Sequence, residues 1–165
     1  MNVLLHACQW LGDTSWSIAL RESLWVYPIV ETVHVLALSV FLGLAIMLDL
    51  RLLNIALRRT SVTEITTRVM PWVWMGFVLM IASGLALFYS DPVKFYGNVF
   101  MRIKLVLLVL AGLNAWRFHA TIYRRVATWD AGVTPPRRAR VAGGISLILW
   151  AAIVTTGRLI AYDWF

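Results

Sequence analysis

Charge and cysteine are scarce in this 165-residue sequence: 14% of its residues are charged and one is cysteine, while 61% are hydrophobic. Ordinary soluble domains run near 25% charged and about 45–50% apolar. A water-soluble chain this short keeps many of its residues near the surface and could not hide so much apolar area. Lipid is therefore the solvent for most side chains. The lone Cys8 excludes an internal disulfide, and no CxxC or CxxCH stretch is present. Thiol redox chemistry, a cysteine zinc site and covalently attached haem are thereby disfavoured. Internal repeats and low-complexity tracts are also missing, and the length suits one domain, residues 1–165.

What is present is four apolar runs of the roughly 20 residues that a bilayer core requires. They cover about 24–50, 69–90, 98–119 and 141–162, and the second carries no charge at all. Backbone polar groups must be satisfied internally in lipid, so each run is expected to be a helix. The expected fold is an all-α membrane protein, an antiparallel four-transmembrane-helix bundle. Small pairs such as Ser83-Gly84, Ala111-Gly112 and Gly143-Gly144 allow close packing. Ahead of the first span, Asp13 followed by SWSIALRES reads as a cap and a short N-terminal amphipathic helix on the outer membrane surface. The first 23 residues lack the basic start of a signal peptide and read as mature protein. Pro135-Pro136 breaks the connection before the fourth span.

Ten of the 15 basic residues lie in two connections: Arg51, Arg58, Arg59 and Arg68, then Arg117, Arg124, Arg125, Arg137, Arg138 and Arg140. The positive-inside rule turns both toward the cytoplasm of a bacterial inner membrane and both termini outward. Trp25, Trp72, Trp74, Trp116 and Trp164 lie near span ends, as an aromatic belt requires. The net charge of +7 is thus topogenic, and no nucleic-acid partner is expected.

Ionisable residues inside spans are costly and normally face a bundle interior with a partner. Glu31 and His34 share a helix face. At 1.5 Å per residue they lie about 10 and 15 Å deep, Lys104 about 9 Å and Arg158 about 6 Å, all in the outer half. Two readings of His34 stand: a neutral imidazole hydrogen-bonded to a neighbouring helix, or a cofactor ligand or proton-transfer group. Glu31 and Arg158 read as an ion pair fixing helix register or as part of the site. Lys104 either snorkels to the headgroups or joins His34. Asp49, Arg51, Asn54, Asn114, Arg117 and His119 form a second group at the inner side, where Asp49, Arg51 and His119 read as interfacial. His34 and His119 differ in depth by roughly 15 Å and cannot share an iron. His6 and Cys8 are too few for a metal site, and Met75 and Met80 do not share a face.

LRESLWVYPIVETVHVLALSVFLGLAIMLDLRLL, FMRIKLVLLVLAGLNAWRFH and GRLIAYDWF together resemble an uncharacterised family of bacterial four-span inner-membrane proteins. More distantly, His34, Leu42-Gly43-Leu44 and Arg51 in the first span, with Lys104-Leu105 opening the third, are similar to the four-helix membrane protoporphyrinogen oxidases and the related copper-resistance membrane proteins. That resemblance implies haem b, with His34 and Lys104 as ligands of the haem iron. The Asn-Glu-Xaa-Pro stretch of the oxidases is absent, so the likeness carries these two roles and not protoporphyrinogen oxidation itself.

The expected function is a b-type haem-binding membrane protein in electron transfer or membrane redox chemistry, in that case a membrane oxidoreductase. Arg158 would face a propionate and Glu31 would border the site. A quinone or porphyrin substrate and a redox partner chain or second copy would accompany it. Two rival readings remain: a cofactor-free scaffold of a larger complex, and a small proton-coupled transporter using Glu31 and His34.

Overall fold

A computed structural model describes residues 3–130 and 134–162. The described chain is all helix: α1 (Val3–Gly12), α2 (Ser15–Glu22), α3 (Val26–Leu52), α4 (Val62–Ser90), α5 (Pro92–Gly97), α6 (Val99–Arg117) and α7 (Arg137–Leu159). Four helical stretches, with α6 counted together with the turns that extend it to Thr128, are long and apolar enough to cross a membrane. At 27 residues, α3 reaches about 40 Å, enough for a bilayer core with a turn to spare. Val106, Leu113, Ile148 and many other large apolar side chains stand exposed along the spans. Water would oppose that arrangement, whereas lipid favours it.

Local chemistry sets the helix ends, and it moves several of them from the hydropathy boundaries. Ser61 caps α4 by accepting the N–H of Glu64 at 3.0 Å, and Glu64 pairs with Arg68 one turn on at 2.8 Å. The helix therefore starts at Val62, not Val69, because a capped polar turn needs no apolar side chains. Beyond Arg117 the third span does not stop at His119. It continues as a π turn, Phe118–Ile122, and a 3-10 turn, Tyr123–Thr128. The N-cap of α2 is Thr14, whose Oγ1 accepts from Ser17 N at 3.4 Å, and not Asp13. Trp164 lies outside the described residues.

Consecutive spans run antiparallel. α3 packs most closely on α4, α6 on α7, and the two hairpins meet through α3 and α7. Glycine permits each approach. A Cβ at Gly76 would sit 3.1 Å from Phe41 Cβ, and one at Gly143 would sit 3.1 Å from the Asp49 carbonyl oxygen. Phe41, Met80, Ala111, Trp150 and Ile153 bring all four spans into one core, with Phe41 edge-on to Trp150 at 4.9 Å. A second core of Leu52, Val62, Phe118, Ala139 and Ala142 closes the arginine-rich end.

The opposite end is closed by the short helices. Ser17, fully buried, donates its hydroxyl to the Tyr89 carbonyl at 2.8 Å, and the Thr14 and Tyr89 hydroxyls meet at 2.6 Å. Gly12 rests on Pro92, joining α1 to α5. Thus α2 is fastened to the end of α4 as well as being amphipathic.

Candidate functional site

His34 points from α3 toward α4, where its Nδ1 lies 2.9 Å from Ser83 Oγ. The Ser83 hydroxyl is also 2.6 Å from the Leu79 carbonyl oxygen. One hydroxyl has one proton, and the shorter contact takes it as the usual bond back to residue i−4. Ser83 Oγ must then accept from His34, which places the imidazole proton on Nδ1 and leaves a lone pair on Nε2. Gly84 makes this possible, since a Cβ there would approach His34 Cε1 to 3.2 Å. The ring therefore lies against the α4 backbone.

Lys104 reaches from α6 to α7, where its Nζ lies 3.3 Å from where a Cβ on Gly157 would be. Among the described residues no carboxylate lies within ion-pair distance of Lys104 or His34. Counted along their helices, His34 is about 12 Å from the start of α3, Lys104 about 8 Å from the start of α6, and Gly157 about 3 Å from the end of α7. All belong to the half of the bundle nearer Tyr89.

The other two expected members do not join them. Glu31 is exposed on α3. Arg158, also exposed, donates from Nη2 to the Tyr162 hydroxyl at 3.3 Å and stacks over that ring at 5.5 Å. The expected Glu31–Arg158 ion pair does not form, because both side chains face outward from their helices. Thr155 and Thr156 bond back to Ala151 and Ala152 in their own helix. The residues that sequence reading missed are Ser83 as the partner of His34 and Gly157 as the seat of Lys104. A serine in a span without charge was the available signal for the first.

At the arginine end, Asp49 and Arg51 are buried, at 6% and 2% exposure, rather than interfacial. The approach of α7 over Gly143 covers the Asp49 backbone, while Arg51 turns to the α3–α4 connection. Arg51 Nε donates to the Thr60 carbonyl at 2.6 Å, while Asp49 Oδ2, Arg51 Nη1, Asn54 Oδ1 and Thr66 Oγ1 lack protein partners. Asp130 receives the N–H groups of Val62 at 2.6 Å and Thr63 at 3.0 Å. Burial acts to raise its pKa, but the hydrogen bonds from Thr63 and Val62 and the charge of Arg51 outweigh it and hold the carboxyl below its usual range. Asn114 and His119 belong to different surroundings: Asn114 Nδ2 donates to the Ala142 carbonyl at 3.0 Å, and His119 packs edge-on to Tyr123 at 5.4 Å. No group of three metal-ligating side chains of the His, Cys, Asp and Glu type occurs among the described residues.

The ligand donors of the site are thus one imidazole lone pair and one amine, from separate helices. Comparison with curated proteins and with solved structures gives no match. The family described as a family of unknown function (DUF6644) matches residues 24–163, from just before α3 to just past α7, and the chain belongs to that family.

Proposed function

We propose that the protein holds a b-type haem between the two helical hairpins, where His34 and Lys104 would be the residues that hold it, and serves electron transfer in the membrane. The observation that carries this reading is the Ser83 contact, which commits Nδ1 of His34 and leaves Nε2 as the free donor. Histidines that ligate metals commonly have their second nitrogen held in this way. The donor set is compatible with haem b, which nitrogen ligands can hold and which needs no thioether-forming cysteine. Gly84 and Gly157 let the imidazole and the amine lie against the backbones of α4 and α7, where a Cβ would crowd them.

Bound there, haem would supply reversible one-electron chemistry. The protein's own residues do the rest. Ser83 fixes the imidazole, and the apolar core around Phe41, Met80 and Trp150 excludes water. Lys104 offers its amine, with no carboxylate within ion-pair distance among the described residues. Arg158 follows Gly157 on α7 but faces outward onto Tyr162. Glu31 has no part in this arrangement. A membrane quinol or a porphyrinogen is the natural electron donor class for so apolar a protein, with a partner chain or second copy as acceptor.

The same proposal sets the chain in a bacterial inner membrane with the arginine end toward the cytoplasm and Tyr89 outward. Its support is the gathering of ten of the 15 basic residues at one end. Purification from haem-replete cells followed by pyridine haemochrome analysis tests the cofactor, with one haem b per chain expected. A folded, colourless protein would refute it, and co-purification of a partner with such a protein would favour a scaffold instead.

A further inference from the structure

We propose that the cleft between the end of α6 and the start of α7 binds the phosphate headgroup of an anionic phospholipid. The proposal is independent of the haem reading. The cleft encloses about 1070 Å³, and Arg117, Arg124, Arg125, Arg137 and Arg138 all line it with no acidic residue among them. Residues 131–133, Ala-Gly-Val, contribute no carboxylate by sequence. The neighbouring Asp130 is committed to the amides of Val62 and Thr63. The ion pair found among the described residues, Glu64–Arg68, involves none of the five. Five guanidinium groups around one concavity repel one another until an anion sits among them, and phosphate is the anion their planar forks match best.

The backbone explains how five arginines converge. The π turn at Phe118–Ile122 widens the end of α6 and the 3-10 turn at Tyr123–Thr128 tightens it again, which brings Arg124 and Arg125 to the same hollow as Arg117. Such π segments commonly mark functional sites. Pro135-Pro136 then return the chain so that α7 opens with Arg137 and Arg138 on the facing wall. Pro136 gives α7 no side-chain cap, and while Ala139 and Arg140 donate their amides to the Pro136 carbonyl, those of Arg137 and Arg138 receive no side-chain cap.

The apolar part of the lining decides between a lipid and a free phosphate. Phe118, Val141 and Ile145 form its floor. Val141, Ile145 and Ile148, spaced four and three apart on α7, continue from it as an exposed strip. An inorganic phosphate has no use for that strip, whereas acyl chains do. Basic pockets between spans at a membrane interface recognise anionic lipid headgroups by this combination.

Native mass spectrometry of the full chain, released from micelles containing equal amounts of phosphatidylglycerol and phosphatidylcholine with the same acyl chains, tests the proposal. The expected result is preferential retention of phosphatidylglycerol, weakened roughly fivefold for each arginine replaced in Arg125→Gln and Arg138→Gln. Arg58→Gln with Arg59→Gln, at the same end but outside the cleft, should leave retention unchanged. Should the glutamine variants fail to fold, Arg125→Lys with Arg138→Lys keeps the charge and should retain the preference in reduced form. Equal retention of the two lipids, equal loss from both pairs of glutamine variants, or displacement of the lipid by millimolar inorganic phosphate would overturn it.

Discussion

Ser83 accepts the Nδ1 proton of His34 across the α3–α4 contact at 2.9 Å, while its own proton goes to Leu79 at 2.6 Å. A residue with no charge thereby decides which nitrogen of a half-buried histidine is free. Replacing Ser83 with alanine removes the acceptor and lets the ring turn. Outer-shell losses of this kind reduce cofactor affinity by about 10–100-fold. Titration of the Ser83→Ala apoprotein with haem should show that loss; wild-type affinity would mean that Ser83 has no hold on the ligand.

Two glycines make contrasting predictions. In Gly84→Ala the new methyl meets the His34 ring at 3.2 Å, and the ring, tethered to Ser83, yields poorly. A cost of about 1–3 kcal/mol is expected from such overpacking. In Gly157→Ala the contact is with the flexible end of Lys104 at 3.3 Å, which can move aside, so stability should fall by less than about 1 kcal/mol. Thermal unfolding in detergent checks the order. Equal destabilisation by both would contradict the placement of the imidazole against α4.

Hydropathy made the four spans legible because lipid imposes a length and a composition on each. It could not show that α4 begins at Val62, since a capped turn of Ser61, Thr63 and Glu64 is polar and reads as a loop. Nor could it show α6 continuing as π and 3-10 turns. Within the site, depth counting put His34 and Lys104 in the same half of the bundle. Depth says nothing of rotation about the helix axis, however, and Glu31 and Arg158, at compatible depths, turn outward. Asp49 and Arg51 look interfacial from their position at a span end, but α7 packs against Asp49 and Arg51 folds onto the Thr60 carbonyl. The contact of Asp130 with Val62 spans 68 positions, a separation that no local pattern encodes.

Asp130 gives a pH-dependent prediction. Its folded pKa lies below the ordinary carboxyl value, so its stabilisation is fully present above that value and is lost as pH falls through the depressed folded one. Asp130→Ala removes the acceptor for two amides at the start of α4 and should cost about 0.5–2 kcal/mol near neutral pH, as other N-terminal helix caps do. The gap between wild type and variant in thermal unfolding should close in acid. A gap that stays constant into strong acid would show that the carboxylate charge contributes nothing.

The central claim is that imidazole and amine from separate helices hold one iron porphyrin. The absorption spectrum of the detergent-purified protein, compared with His34→Ala and Lys104→Ala, tests it most directly. The wild type should show a Soret band that is lost in His34→Ala and shifted in Lys104→Ala while all three retain their helix content. A Soret band unchanged in both variants, or none in folded wild-type protein from haem-replete cells, would contradict it.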